Sequence, residues 1–331
     1  MKFWDREKEI EDLMRYLSSE PNAILFVYGP KSSGKSTLLM KVAQELKNDP
    51  FKFLWYDLRK YAIEKAEDAI SILLGAKGTP TALARLFDIQ IAFLSIKAEE
   101  LLRVFRKERD PFVLMEGELL KIRENGSVPV IVFDEIQNFR DIYLNGDRRL
   151  IDRLFNFFVA ITKVNHLAHV LVMTSDTFFI EDVYSSSALK NTSRYYLVDY
   201  FDDETAFEIL VEEGLSEEDA RYVVEWTGGV PWMIEEVVEV DDPKATVEGL
   251  YKDHRARLED VLAESYENGE YEIVIEILKK VLSGEIDLVR DKKMVRKLVE
   301  REVLFFDPIN RVVEFQTRLD ERAARELLSK S

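Results

Sequence analysis

The chain has 331 residues, a formal net charge of −17 and no cysteine. This length leaves room for about two or three domains with separate cores, and the lack of cysteine excludes disulfide bonds, thiolate zinc sites and cysteine nucleophiles. No apolar run approaches the length of a membrane span, and the N-terminus lacks the pattern of a signal peptide. The composition therefore favours a soluble, cytoplasmic protein without a membrane partner.

The excess negative charge is concentrated in one middle segment. Residues 199–250 carry 17 acidic and 2 basic side chains, whereas residues 1–198 carry 28 of each and residues 251–331 carry 18 acidic and 16 basic. Such a shift in charge indicates a domain boundary. The segment is either a solvated helical surface or a docking face for a basic protein partner, and it would repel the phosphates of nucleic acid.

The first 20 residues have the spacing of one amphipathic helix. Ile10, Leu13, Met14 and Leu17 recur at helical intervals, and Asp5 precedes them as the candidate N-cap.

A glycine-rich loop joins an apolar strand predicted over residues 23–28 to a helix predicted over 38–47. The residues of this loop are Gly29, Pro30, Lys31, Ser32, Ser33, Gly34, Lys35, Ser36 and Thr37. They match the phosphate-loop pattern G-x-x-x-x-G-K-[ST] in the strand–loop–helix setting that it requires. The backbone N–H groups of such a loop surround an anion, and the helix N-terminus adds partial positive charge. We expect Lys35 to reach the outer phosphates of a nucleoside triphosphate, and the Ser36 hydroxyl to ligate Mg²⁺.

Strands and helices alternate over the rest of the first 198 residues. The further predicted strands cover residues 51–58, 128–133, 169–173 and 195–198. The further predicted helices cover residues 61–124, with breaks near 75–80 and 110–111, and about 148–163. This alternation is typical of an α/β domain with a parallel sheet. We therefore predict a three-layer P-loop nucleotide-binding domain over residues 1–198, with a helical insertion at 61–124.

Polar side chains follow two of the predicted strands. Asp134 ends an apolar strand, as a Walker B carboxylate does, and would hold Mg²⁺ through water. Glu135 is then placed to polarise a water molecule against the γ-phosphate as a general base. Thr174 and Ser175 are either a polar sensor of the γ-phosphate or a strand-end turn. Since the carboxyl ends of parallel strands meet at one edge of the sheet, all of these residues can converge on the phosphate loop.

The transition state of phosphoryl transfer also calls for a positive charge. Arg194, just before the last predicted strand, is the preferred candidate, and Arg148, Arg149 and Arg153 are alternatives. The acidic pair after the strand, together with the absence of a guanine-reading N-K-x-D box, favours ATP over GTP. The predicted cofactors are therefore ATP or ADP and Mg²⁺.

Helices alone are predicted over residues 199–265, which we interpret as a helical lid domain. The predicted helices cover residues 204–213, 216–226 and 232–240 and a long segment from about 244. Ser216 and Asp219 resemble a capping box at the start of the second of these helices. The sequence Thr227-Gly228-Gly229-Val230-Pro231 interrupts the helical pattern sharply.

The pattern changes again in residues 266–331, where it favours a winged-helix domain. Helices are predicted over 271–282 and 291–301, and two strands over 303–306 and 311–315. The segment 288–301 contains six basic side chains, which could contact the phosphates or the major groove of duplex DNA. The alternative is a solvated helix in a winged helix that binds protein.

Taken together, these motifs resemble those of archaeal P-loop ATPases of the AAA+/STAND type. The opening, Phe3-Trp4-Asp5-Arg6-Glu7-Lys8-Glu9-Ile10, is similar to the F-x-D-R-E-x-E-L start of that family. The resemblance implies that this opening, with Arg6, lies near the adenine. It also implies an ASCE, AAA+-like fold in which the loop, the acidic pair and Thr174-Ser175 are Walker A, Walker B and sensor 1.

The lid carries a further point of resemblance. Gly229-Val230-Pro231 is similar to the G-x-P motif of the family, and the resemblance implies that Pro231 contacts the nucleotide. The chain departs from the pattern at Thr174, where the family has glycine, and it lacks a glycine–arginine pair before the last strand.

Two functions are consistent with these residues. In the first, ATP hydrolysis drives a cycle of motion in the lid and winged-helix domains that acts on a partner, such as duplex DNA. In the second, the protein is a nucleotide switch that turns over slowly and regulates a protein partner without binding DNA, with the acidic lid as the contact surface. Members of the resembled class include replication initiators, transposition helpers and signalling ATPases, so the resemblance does not separate the two.

Overall fold

The computed structural model describes residues 3–75, 94, 96–144, 148–185, 189 and 191–329. Its strands are β1 (Ile24–Tyr28), β2 (Phe51–Asp57), β3 (Val128–Asp134), β4 (Tyr143–Leu144), β5 (Arg148–Arg149), β6 (His169–Thr174), β7 (Ser193–Leu197), β8 (Leu304–Asp307) and β9 (Val312–Phe315). Strands β1, β2, β3, β6 and β7 form one parallel sheet in the order β2-β3-β6-β1-β7, and the other four form two antiparallel pairs.

The helices of the first half surround this parallel sheet. They are α1 (Glu7–Ser18), α2 (Lys35–Glu45), α3 (Ala66–Leu73), α4 (Ala98–Phe105), α5 (Pro111–Glu124), α6 (Leu150–Val159) and α7 (Thr177–Ser185). The helices of the second half are α8 (Asp203–Glu212), α9 (Glu217–Thr227), α10 (Pro231–Val238), α11 (Pro243–Glu267), α12 (Tyr271–Ser283), α13 (Lys292–Glu300) and α14 (Arg318–Ser329).

The parallel sheet is covered on both faces. All five residues of β1 are buried, and alternate residues face opposite sides: Phe26 joins one core and Val27 the other. Leu13 of α1 and Leu38 of α2 pack on the Val27 side, while Phe158 of α6 packs on the Phe26 side. Continuous apolar strands are expected where helices cover both faces. The α/β three-layer arrangement predicted from the sequence is confirmed.

The strand register brings the chemistry-bearing residues to one edge of the sheet. Tyr28, the last residue of β1, lies opposite Thr174 of β6. Asp134 at the end of β3 lies opposite both Asp57 of β2 and Met173 of β6. The phosphate loop therefore begins at the same edge where the other strands end, as the rule for parallel sheets predicts.

Some elements differ from the sequence predictions. Asp5 is not the N-cap of α1, because Arg6 takes that position with a left-handed backbone (φ 82°) and no side chain caps the helix. The sequence predictions omitted helix α7 and the short β4–β5 pair. Of the helical insertion, α3, α4 and α5 are present, while residues 76–93 and 95, with most of the predicted break at 75–80, lie outside the described residues.

Two further clusters of apolar side chains lie beyond the sheet. The first joins α8, α9, α10 and the start of α11, and includes Leu210, Val223 and Ile234. The second joins α11, α12, α13, β8 and α14, and it also takes in Phe178 from α7. Ser216 caps α9, since its hydroxyl accepts a hydrogen bond of 3.1 Å from the backbone N–H of Asp219. Within the described ranges, no helix is both long and apolar enough to cross a membrane.

The buried His169 makes the stability of the fold sensitive to acid. Burial lowers the pKa of this imidazole from 6.5 to about 4, so between these values the unfolded chain binds the proton and the folded chain does not. The free energy of unfolding should therefore fall as pH decreases from 6.5 to 4, by up to about 3 kcal/mol for this group. In His169→Phe, the free energy of unfolding measured by urea titration should fall less between pH 6.5 and pH 4 than in the wild type. An equal fall in both proteins would exclude His169 as its source.

Candidate nucleotide-binding site

The phosphate loop folds back against the last strand of the sheet. Gly29 has a φ of 154°, and a Cβ atom there would lie 2.1 Å from the Val198 carbonyl oxygen. The Val198 backbone N–H donates a hydrogen bond of 2.8 Å to the Tyr28 carbonyl, which fixes this approach. Gly34 is the N-cap of α2 and is left-handed, with a φ of 89°. Glycine is required at Gly29 for space and favoured at Gly34 for conformation.

The Lys35 side chain lies buried inside this loop. Only 8% of the residue is exposed, and its ammonium donates to the carbonyl oxygens of Gly29 (3.1 Å) and Pro30 (2.8 Å). Burial lowers the pKa of Lys35 to about 8, against the raising effect of Glu135 and Asp134. A buried ammonium without an ionic partner at contact distance is unfavourable. The loop is therefore arranged to receive an anion.

Asp134 is buried at the end of β3, 3% exposed, and binds two groups through the same oxygen. Its Oδ2 accepts from the Ser36 hydroxyl at 2.8 Å and from Nη2 of Arg59 at 2.7 Å. Burial raises the pKa of Asp134 to about 6, while Arg59 and the Ser36 hydrogen bond act in the opposite direction. The structure thus brings together the two residues that the sequence predicts as Mg²⁺ ligands.

Glu135 has a strained backbone and a fixed carboxylate. Its φ of 62° and ψ of 52° are left-handed, which is uncommon for a residue with a side chain. The Ser175 hydroxyl donates to Oε1 at 3.2 Å, and the Gln137 amide donates to Oε2. The Thr174 hydroxyl in turn donates to Oε1 of Gln137 at 2.9 Å. Both residues of the predicted sensor therefore act on the glutamate, one directly and one through Gln137. The left-handed backbone of Glu135 is a strained conformation of the kind that concentrates at functional sites.

A cleft of about 410 Å³ opens over these groups. The predicted site residues that line it are Arg6, Lys31, Ser32, Ser33, Gly34, Lys35, Ser36, Thr37, Asp134, Glu135, Ser175 and Pro231. Gly29 and Pro30 do not line the cleft, and their carbonyl oxygens accept hydrogen bonds from Lys35. The remaining lining side chains include Trp4, Phe201 and Trp232, which provide aromatic surface next to the phosphate loop.

Arg6 connects the residues before α1 to the phosphate loop and to residues 199–201, which follow β7. The residue is 6% exposed, and its Nη2 donates to the carbonyl oxygens of Ser33 (3.2 Å) and Asp199 (2.6 Å). Its guanidinium lies 4.4 Å from the centre of the Phe201 ring. Arg6 cannot cap α1 with its side chain, because a guanidinium has no hydrogen-bond acceptor.

The turn before α10 meets the same segment. Phe201 and Gly229 form an antiparallel bridge, and a Cβ atom on Gly229 would lie 1.9 Å from the Phe201 carbonyl oxygen. Pro231 begins α10, where a missing N–H carries no cost. This close approach brings Pro231 and Trp232 to the rim of the cleft.

The structure does not bring Arg194 to this site. Arg194 lies opposite Leu25 in the register of β7 with β1, three positions before Tyr28 and therefore about 10 Å along the strand from the phosphate loop. Arg149 pairs with Asp152 at 3.1 Å, outside the cleft, and the Arg148 side chain lies outside the described part of the chain.

The last of the predicted candidate cations also forms an ion pair away from the cleft, and one cation that does line the cleft was not predicted. Arg153 pairs with Asp110 at 2.9 Å, outside the cleft. Arg59 lines the cleft and contacts Asp134, although sequence analysis did not select it. A usable signal was present, since Asp57 ends an apolar strand just as Asp134 does, and Arg59 follows two residues later.

The fold and the site together define a P-loop nucleotide-binding protein, and comparisons with known proteins specify the family. The profile of an ATPase domain predominantly from Archaea matches residues 3–237. An uncharacterized ATP-binding protein of Methanocaldococcus jannaschii is 36% identical over 329 residues, which cover 95% of this chain and 91% of the relative. A second from the same organism is 36% identical over 337 residues, covering 99% and 100%. The chain therefore belongs to this family of archaeal ATPase domains.

Solved structures share the fold across nearly the whole chain. The Walker-type ATPase of Pyrococcus abyssi superimposes with a TM-score of 0.65 at 17% identity, covering 98% of this chain and 96% of that one. The ORC2 protein of Aeropyrum pernix, in complexes with ADPNP and ADP, gives a TM-score of 0.53 at 10% identity, covering 99% and 95%. At these identities the similarity shows the fold alone.

The contact at Gly229 yields a test of the cleft's construction. Gly229→Ala should lower the free energy of unfolding by about 2 kcal/mol and weaken nucleotide binding, because the Phe201 backbone must move. Gly249→Ala is the matched control: this helical glycine has open space around it, and alanine there should stabilise by about 0.5–1 kcal/mol. Urea unfolding and calorimetric ATP binding would measure both effects. Equal behaviour of the two variants would contradict the close approach.

Proposed function

We propose that this protein is a Mg²⁺-dependent ATPase of the AAA+/STAND type. The observation that carries the proposal is the meeting of four side chains in one cleft: the buried Lys35, the hydrogen-bonded pair Ser36 and Asp134, and the fixed Glu135. These are the parts that phosphoryl transfer to water requires, namely a phosphate cradle, a metal-binding pair and a group that orients the nucleophile. Membership of an ATPase-domain family supports the same reaction.

The donors of Ser36 and Asp134 fit Mg²⁺. Hydroxyl and carboxylate oxygens are the ligands that this ion prefers, and the 2.8 Å hydrogen bond between the two groups shows that their oxygens face the same point. When bound, Mg²⁺ would neutralise charge on the phosphates and polarise them. The carboxylate of Asp134 is positioned by Ser36, and a bound cation would replace the Arg59 guanidinium as its second partner.

Glu135 is the proposed general base. Ser175 and Gln137 each hold one of its carboxylate oxygens, so the orientation of the group is set from two sides. Lys35 would bind the outer phosphates, and Ser175, which lines the cleft, would sense the γ-phosphate through its contact with Glu135. The aromatic surface of Trp4 is proposed to receive the adenine, since nucleobases stack on aromatic rings.

The domain organisation proposed from the sequence, with boundaries at 198 and 265, gives hydrolysis a route to the rest of the chain. Tyr28, which precedes the phosphate loop, donates a hydrogen bond of 2.9 Å to Asp307 at the end of β8. Lys31 of the loop pairs with Glu302, and the Tyr200 hydroxyl donates to the Lys31 carbonyl at 2.9 Å. A change in the phosphate loop on nucleotide exchange would therefore alter its contact with Tyr200, which precedes the proposed lid helices. It would also alter the contact of Lys31 with Glu302 in the proposed winged-helix domain.

A slow nucleotide switch is the second candidate, and the position of α13 favours it. Lys292 pairs with Glu181 of α7 at 2.9 Å, and Arg296 lies 4.7 Å from the Phe178 ring and 3.5 Å from Asp182. The basic helix proposed to read duplex DNA is thus bound to its own nucleotide domain in this conformation. Such a helix would have to separate from α7 before binding DNA, whereas a protein partner could use the acidic lid without this step.

Replacement of the proposed base tests hydrolysis. Glu135→Gln should lower the steady-state rate of ATP turnover by about 100-fold or more, while the dissociation constant for ATP changes little, because the amide keeps the shape of the side chain. Glu248→Gln, at an exposed position of α11, is the control and should leave both quantities unchanged. Wild-type turnover that survives in Glu135→Gln would contradict the assignment of this residue.

Release of the basic helix tests the choice between the two candidate functions. Replacing Glu181 and Asp182 with glutamine and asparagine removes the carboxylates that hold Lys292 and Arg296. The switch hypothesis expects slow turnover that duplex DNA does not change, in the wild type and in the double variant alike. The DNA-acting ATPase instead expects the double variant to bind duplex DNA about tenfold more tightly than the wild type. Fluorescence anisotropy at fixed salt and a coupled ATPase assay would measure both. Strong stimulation of the wild type by DNA would instead favour the DNA-acting ATPase.

A further inference from the structure

Arg59 occupies an unusual position in the cleft. It lies in a short 3-10 turn, Leu58–Lys60, directly after β2. Its Nε donates to Asp57 at 2.9 Å and its Nη2 to Asp134 at 2.7 Å, yet half of the side chain remains exposed and lines the cleft. The guanidinium therefore lies at the phosphate end of the site, and half of the side chain faces the open cleft.

A divalent cation held by Ser36 and Asp134 would compete with Arg59 for the Asp134 carboxylate. Oδ2 of Asp134 accepts from both Ser36 and Arg59, and Ser36 with Asp134 is the proposed metal-binding pair. Two cations on one carboxylate oxygen repel each other. Arg59 must then move, and its exposed side chain on a one-turn element permits this, while Asp57 still holds the guanidinium near the site.

The other cations of the cleft are held in different ways. Arg6 is buried against the Ser33 and Asp199 carbonyls, and Lys31 pairs with Glu302. Among the described residues that line the cleft, Arg59 is therefore the half-exposed cation that lies next to Asp134. A planar guanidinium with several donors suits the oxygens of a terminal phosphate better than an ammonium does.

We propose that Arg59 is a γ-phosphate-binding residue supplied by the same chain. It pairs with Asp57 and Asp134 when no γ-phosphate is present, and it turns to the γ-phosphate when ATP occupies the cleft. This inference rests on the proposed ATPase function and assigns to Arg59 the role that the sequence predicted for Arg194. Because ADP lacks the γ-phosphate, Arg59 would make the site prefer the triphosphate.

The test is the selectivity of binding, measured by calorimetry in the presence of Mg²⁺ with a non-hydrolysable ATP analogue and with ADP. In Arg59→Ala the dissociation constant for the analogue should rise by about tenfold or more, while that for ADP stays unchanged or falls. Arg59→Lys, which keeps the charge, should give an intermediate loss. Circular dichroism would verify that each variant folds.

Lys60→Ala is the matched control, because Lys60 also pairs with Asp57, at 3.5 Å, but does not line the cleft. It should bind both nucleotides as the wild type does. Equal weakening of the analogue and of ADP in the Arg59 variants, or no change in either, would overturn the role of Arg59 and leave the ATPase proposal standing. A wild type that binds neither nucleotide would overturn both proposals.

Discussion

Burial of the Lys35 ammonium is the constraint on which the rest of the site depends. A positive charge that is 8% exposed is held by carbonyl oxygens of its own loop and has no carboxylate at salt-bridge distance among the described residues. Such a charge lowers stability unless an anion compensates it. The close approach of Gly29 to Val198 and the α2 N-terminus at Gly34 position the loop around this charge. The protein thus retains an unfavourable buried cation, which is understandable if phosphate is the intended partner.

The parallel sheet supplies the other half of the site. Because Tyr28 lies opposite Thr174 and Asp57 lies opposite Asp134, four strands deliver polar groups to the edge where the loop begins. The same edge is where the second half of the chain attaches, through the Tyr28–Asp307 hydrogen bond and the ion pairs of Glu181. The proposed nucleotide site therefore lies next to the contacts with the C-terminal helices, and both proposed functions would require movement at this boundary.

Sequence alone predicted the parts of the site that depend on local pattern. The loop from Gly29 to Thr37 and the strand-end acids are recognisable because motif and strand period act over a few residues. Arg59 was missed because its contact with Asp134 forms only when β2 and β3 are in register, although its place two residues after a strand-end acid was visible in the sequence. Arg194 was selected for its nearness in sequence to the last strand, but that strand begins at Ser193, so Arg194 lies near its amino end. The docking of α13 also escaped prediction, since a basic helix has the same pattern whether it faces solvent or an acidic neighbour.

The most direct test of the central claim compares ATP binding and stability in the wild type and in Lys35→Met. The account predicts that the variant loses calorimetric binding of Mg·ATP by about 100-fold or more, yet unfolds at a higher urea concentration than the wild type without nucleotide, because a buried charge has been removed. Binding of ATP by the variant with wild-type affinity would contradict the account. So would a large loss of stability, since it would show that Lys35 serves the fold rather than the ligand.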